Sequence, residues 1–146
     1  MAKSFSEEIR RFAEKTNDTI DNVVADYVIG ITARITEATP VGQPSEWKSK
    51  APPGYVGGTA RANWIPSIGS AETSPIESTD RERPKTLVRA LGKQISGNLF
   101  YLTNNVPYIE RLEYGWSDQA PKGMMRTTLR SARKLLNDSV NKNTRR

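Results

Sequence analysis

The order of a long helix, several short strands and a terminal helix predicts an α+β domain. A long N-terminal helix and a C-terminal helix are expected to pack on a mostly antiparallel β-sheet. Helical periodicity at each end of the chain, and short apolar or alternating runs between, carry this prediction. With 146 residues, 36% of them hydrophobic and 26% charged, the chain has material for one core. It is assigned one domain over residues 1–141 and a basic flexible tail over 142–146.

The first helix is set by Phe5, Ile9, Phe12, Ile20, Val23, Val24, Tyr27, Val28, Ile31 and Ile35, spaced mostly three or four residues apart along one stripe. Ser4 and Glu7 form a capping box at its start, and Thr39-Pro40 stops it, because a residue before proline is pushed out of helical geometry. Residues 5–38 would span ~50 Å at 1.5 Å per residue. That length leaves Asn17-Asp18 and Gly30 as places for a break, and the β-branched run over 23–35 also admits a strand.

Residues 39–58, with Pro40, Pro44, Pro52 and Pro53 among four glycines, are expected to hold no regular element. Trp47 and Tyr55 stand out in this long loop, either tucked onto the domain's own surface or set against a partner. Residues 59–69, with Trp64, Ile65 and Ile68, read as a strand interrupted or edged by Pro66. Leu87, Val88, Leu91 and Ile95 suggest a short helix or turn, with a strand as the alternative. Leu99 to Leu102 are apolar without interruption, as in a strand buried on both faces or at an interface. Pro121 can sit in the first turn of a final helix, with Met125, Leu129, Ala132, Leu136 and Val140 on one face and Arg126, Arg130, Arg133 and Lys134 over much of the rest.

Composition excludes several kinds of chemistry. The chain has no cysteine, hence no disulfide, thiolate nucleophile or thiolate metal site, which is consistent with a reducing cytoplasm. It has no histidine, hence neither the usual proton shuttle near neutral pH nor the commonest metal ligand. The acidic residues have ordinary solvated readings, and no carboxylate pair suggests acid–base work. Gly57-Gly58, Gly92, Gly97 and Gly115 match no phosphate-binding spacing, so no cofactor is expected. No run of about 18 apolar residues is present, and Met1-Ala2-Lys3-Ser4 leads into Glu7 and Glu8 rather than an apolar signal core, so neither membrane insertion nor secretion is expected.

The net charge of +6 is unevenly placed. Lys122, Arg126, Arg130, Arg133, Lys134, Lys142, Arg145 and Arg146 stand against Asp138 alone, a net +7 that leaves the rest of the chain at −1. A solvated helix face explains such a run. A small basic nucleic-acid-binding module is the alternative, although no aromatic residues interleave with these cations to make a stacking platform. Upstream, Pro107 to Gly115 reads as a helical turn with Tyr108, Leu112 and Ile109 inward and Arg111 and Glu113 outward, ended by Gly115. A sharper reading sets Tyr114 and Trp116 at a subunit contact, where aromatics and arginine are enriched.

Thr39 to Gly42 (T-P-V-G), followed by Gly57 to Trp64 (G-G-T-A-R-A-N-W), resembles the T-P-V-D-T-G-x-L-R-x-S-W signature of tail-completion and neck proteins, minor tail components of long-tailed double-stranded DNA phages. Pro107 to Gly115 (P-Y-I-E-R-L-E-Y-G) is similar to the family's downstream Y-A-x-x-x-E-Y-G, with Tyr108, Glu113, Tyr114 and Gly115 in the matching places. The chain departs from that pattern in the longer stretch between T-P-V and G-T, in Asn63 where the family often has serine, and in lacking a leucine after Thr59.

The resemblance implies a structural, non-enzymatic virion protein with a tail-terminator-like fold, assembled in the host cytoplasm into the phage neck. There it would form a homo-oligomeric ring, a hexamer, between the head-side connector or stopper and the tail tube, with DNA passing through. The candidate subunit interface comprises Trp47, Tyr55, Trp64, Tyr108, Glu113, Tyr114 and Trp116, and the candidate basic surface Arg126, Arg130, Arg133 and Lys134.

Overall fold

The computed structural model describes residues 4–43, 45, 50, 53 and 56–145. One helix, α1 (Phe5–Ala38), runs unbroken through Asn17-Asp18 and Gly30. Its start is the expected capping box: the Ser4 hydroxyl accepts from the Glu7 amide, and the Glu7 carboxylate accepts from the Ser4 amide. Its end is Thr39, in extended conformation before Pro40.

No cation of α1 itself lies in its last turn. Arg61 supplies one from outside. Its guanidinium donates to the carbonyl oxygens of Thr39 (3.0 and 2.8 Å) and Glu37 (2.9 Å), a charge placed where the helix dipole is negative. Arg61 is carried by a single helical turn, α2 (Thr59–Ala62), which leads into strand β1 (Trp64–Ile68). Residues 59–69, read from sequence as one strand, thus divide into a turn and a strand. The reason is Asn63, fully buried, whose side-chain amide donates to the carbonyls of Thr59 and Ile76 while its oxygen accepts from the Ile76 amide.

A nine-residue helix, α3 (Arg83–Leu91), and a 3-10 turn (Gly92–Ile95) pack along α1. Lys85 fastens α3 to it, reaching Glu82 at 2.9 Å and Glu37 at 3.3 Å. The hydrogen bond to Glu82 raises the Lys85 pKa, burial works against it, and Glu37 adds to the rise. Strand β2 (Phe100–Asn104) pairs antiparallel with β1, Trp64 opposite Asn104 and Ile68 opposite Phe100.

Among the described residues the sheet has only these two strands, so it is smaller than the sequence suggested. β2 is half-buried along its length rather than covered on both faces. Helix α4 (Ile109–Glu113) follows, and the basic terminal segment forms two helices, α5 (Met125–Arg130) and α6 (Ala132–Thr144). Pro121 lies ahead of them in a turn and not in the helix. The last helix runs on through Thr144, past the expected start of a loose tail, because Lys142 and Asn143 both bind Asp26 of α1 at 3.1 and 2.8 Å.

The core lies where the C-terminal half of α1 meets the rest. Ile35, Trp64, Ala120 and Met124 are buried together, with Ile31, Ala38, Leu102, Ile109 and Leu112 packed around them. Thr32, Thr36 and Thr39 are fully buried on the same helix end. The hydroxyls of Thr36 and Thr39 donate back to the carbonyls of Thr32 and Ile35, which permits polar side chains in a dry place. No helix of the described residues is long and apolar enough to cross a membrane.

Candidate interaction surface

The two sequence motifs that seemed separate meet across the core. Trp64 is 3% exposed, and its indole N–H donates to the Thr39 hydroxyl at 2.7 Å. Thr39 therefore serves both halves of the first motif: its carbonyl takes Arg61 and its hydroxyl takes Trp64. This corrects the placement of Trp64 at a subunit interface. An indole that size, next to apolar Ile35 and Met124, gains more by filling the core than by standing in water, and its one polar atom has a partner there.

Glu113 is also corrected, from an outward contact to an internal fastener. Its carboxylate accepts from the backbone amides of Met124 (2.8 Å), Met125 (2.9 Å) and Arg126 (3.1 Å), and from the Arg126 guanidinium at 3.2 Å. Those amides form the open start of α5, which has no capping side chain of its own, so Glu113 does the capping from α4. Arg126 donates to the Glu113 carbonyl as well. Burial alone would raise the Glu113 pKa. The amides of Met125, Arg126 and Met124, with the Arg126 guanidinium, outweigh it and hold the carboxyl below the usual carboxylate range.

Two glycines make this approach possible. At Gly123, φ is +83°, and a Cβ there would stand 2.5 Å from both the carbonyl and a carboxylate oxygen of Glu113. At Gly115, φ is +87°; the Gly115 amide bonds the Leu112 carbonyl and the Trp116 amide bonds the Arg111 carbonyl, closing α4 in a Schellman motif.

That chain reversal turns Tyr114 and Trp116 outward. They are 69% and 74% exposed, each under a guanidinium whose carbon stands 5.1 Å from the ring centroid: Arg126 over Tyr114 and Arg111 over Trp116. Tyr108, 41% exposed, and Trp116 border an open groove of ≈ 500 Å³ that runs to Pro40–Gln43 and Ser117–Gln119. The Gln119 side chain ties the two banks together, accepting from the Val41 amide at 3.0 Å and donating to the Val41 carbonyl at 2.9 Å. Trp47 and Tyr55 lie outside the described residues.

Of the basic set, Arg126 is engaged with Glu113 and Tyr114, whereas Arg130 and Arg133 are exposed. Lys134 pairs with Asp138 at 3.1 Å on the helix surface. The sequence reading did not single out Arg61, Gln119 or Gly123. Gly123 left a signal as a glycine shortly before an amphipathic run, and Arg61 stands at the arginine of the G-x-L-R-x-S-W pattern; Gln119 acts on backbone groups far along the chain, which periodicity does not register. No match is found for the chain among protein-family models, curated proteins or solved structures.

Proposed function

We propose that the chain is a structural protein of a tailed-phage neck, which completes the tail and joins it to the head-side connector or stopper. In this reading it is non-enzymatic, has a tail-terminator-like fold, and assembles as a ring, taken as six copies, through which DNA passes. The observation that carries the proposal is the exposed pair Tyr114 and Trp116, held outward by the Gly115 reversal beside a groove. Monomers rarely leave aromatics so exposed beside a concavity without a partner to cover them. A ring uses heterologous contacts, one patch against a different patch of the next copy, and such an edge and groove suit that arrangement.

The motif residues support the same reading in another way. Thr39, Arg61, Trp64, Glu113 and Gly115 act as fasteners that hold the aromatic edge at a fixed place, which a ring closing on itself needs. The test is genetic: phage lacking the protein should accumulate filled heads and tails that fail to join, or tails of uncontrolled length. Normal joined virions in its absence would end the proposal.

The exposed cations Arg130 and Arg133 favour a second reading, a small nucleic-acid-binding module. Mobility-shift assays at two salt concentrations separate the two, since retention of DNA that weakens steeply with salt belongs to the second.

A further inference from the structure

Among the described residues, two apolar stripes have no cover. The first lies on the N-terminal part of α1. Residues 4–18 are exposed throughout and extend beyond the level where α6 reaches α1, at Asp26. On this arm Phe5 is 78% exposed, Ile9 53% and Phe12 71%, and Ile20 at its base is 52% exposed. The second runs along α5 and α6, where Met125, Leu129, Leu136 and Val140 are 39–58% exposed. The face of these helices that is buried carries Thr128 and Ser139 instead.

The two stripes fit one another. Phe5 to Ile20 and Met125 to Val140 cover the same interval of sequence, ~22 Å of helix at 1.5 Å per residue. The arm from Ser4 to Ile20 carries four acidic and three basic side chains, a net −1. The segment from Met125 to Val140 carries Arg126, Arg130, Arg133 and Lys134 against Asp138, a net +3, and three of those arginines follow the stripe one residue behind Met125, Leu129 and Ala132. The arm belongs to an unbroken helix that α6 follows from Leu135 at Gly30 to Asn143 at Asp26, so it runs on past the end of α6 and cannot fold back onto its own stripe.

We propose that the arm of one copy docks, through Phe5, Ile9 and Phe12, on the α5–α6 stripe of the next copy. This contact rests on the ring reading above and gives it a second heterologous joint besides the aromatic edge. It is a helix laid in an apolar track, with anchors at i, i+4 and i+7.

The absence of cysteine makes the test clean. Full-length protein with F12C together with L129C, and with F12C together with L136C, is treated with a short bismaleimide. Phe12 is near the middle of the arm stripe, and Leu129 and Leu136 flank the middle of the other, so one pair comes close whichever way the helices run. The expected result is a ladder of cross-linked species beyond dimer, while each single-cysteine chain gives none beyond dimer. In parallel, F5S/F12S and L129S/L136S each raise the apparent dissociation constant of self-association about tenfold or more with helicity unchanged. Mixing the two restores a dimer held by the one intact joint.

Efficient dimers from F12C alone would show arm meeting arm and overturn the proposal. Undiminished oligomers with no ladder would overturn it while leaving the ring standing. Wild-type chains that do not associate, together with double-cysteine chains that do not cross-link, would remove both.

Discussion

Residues 4–18 and 25–39 belong to one continuous helix and its caps, with the same sort of apolar spacing, yet the first stretch is bare and the second holds some of the driest positions among the described residues. At the bare end the exposed residues are two phenylalanines and an isoleucine; at the dry end the fully buried ones include three threonines. Apolar periodicity marks a face but not what covers it. What decides is where other parts of the chain return to the helix. Arg61, Trp64 and Lys85 all converge on the last turn or two of α1, and the described residues bring no equivalent to its first turns.

The largest effect expected from this contrast is at Trp64. Trp64→Ala should cost about 3–5 kcal/mol, because it opens the core between Ile35 and Met124 and removes the indole donor to the buried Thr39 hydroxyl, which keeps only its own bond to the Ile35 carbonyl. Against a total stability on the order of 5–15 kcal/mol, that brings the fold close to failure. Chemical denaturation followed by circular dichroism measures it. A loss under about 1 kcal/mol would mean that α1 holds its C-terminal half without this fastener, and the contrast would collapse.

Next is Glu113→Ala, expected to cost about 2–3 kcal/mol, since three amides at the start of α5 lose their acceptor together. The same group sets a pH dependence. Because its folded-state pKa is depressed, its contribution is present above the unfolded value of about 4.3 and is lost as pH falls through the folded value. Acid titration of the wild type should show this loss, and Glu113→Gln should flatten that part of the profile. An unchanged profile would mean that another carboxylate carries it. Gly123→Ala should follow at about 1–3 kcal/mol, because the left-handed backbone and the 2.5 Å approach to Glu113 both disfavour a Cβ. The two substitutions together should cost less than their sum, as they break one joint.

Much of the fold is legible in the sequence because its signals are local. The capping box at Ser4, the stop at Thr39-Pro40 and the glycine end of α4 all depend on residues within a few positions of each other. The small sheet and the roles of Trp64 and Glu113 were not legible in the same way. Large aromatics are enriched in both cores and interfaces, and nothing beside Trp64 in the chain says that Thr39 waits for its indole. Glu113 has an outward look on a helical turn, and its capping role depends on a reversal at Gly115 and a close pass at Gly123. The sequence sets Tyr114 and Trp116 at a subunit contact beside that reversal, and what the structure gives is that both rings are exposed.

The smallest effect belongs to the bare end. Phe12→Ala should change the stability of the isolated chain by less than about 0.5 kcal/mol, because at 71% exposed the ring covers little and leaves no cavity behind. Alanine is also the better helix former, which offsets whatever contact the ring makes. At this chain length the unfolding midpoint should then move by no more than roughly 2 °C. The measurement must be made at a dilution where self-association is negligible, since binding to a second copy adds apparent stability by mass action. A midpoint that is unmoved when dilute and falls with Phe12→Ala only as concentration rises would sharpen the contrast: one end of α1 stabilises the fold, and the other contributes only when it meets another molecule. A large drop at every dilution would place the arm's apolar face against the body and abolish the difference between the two ends.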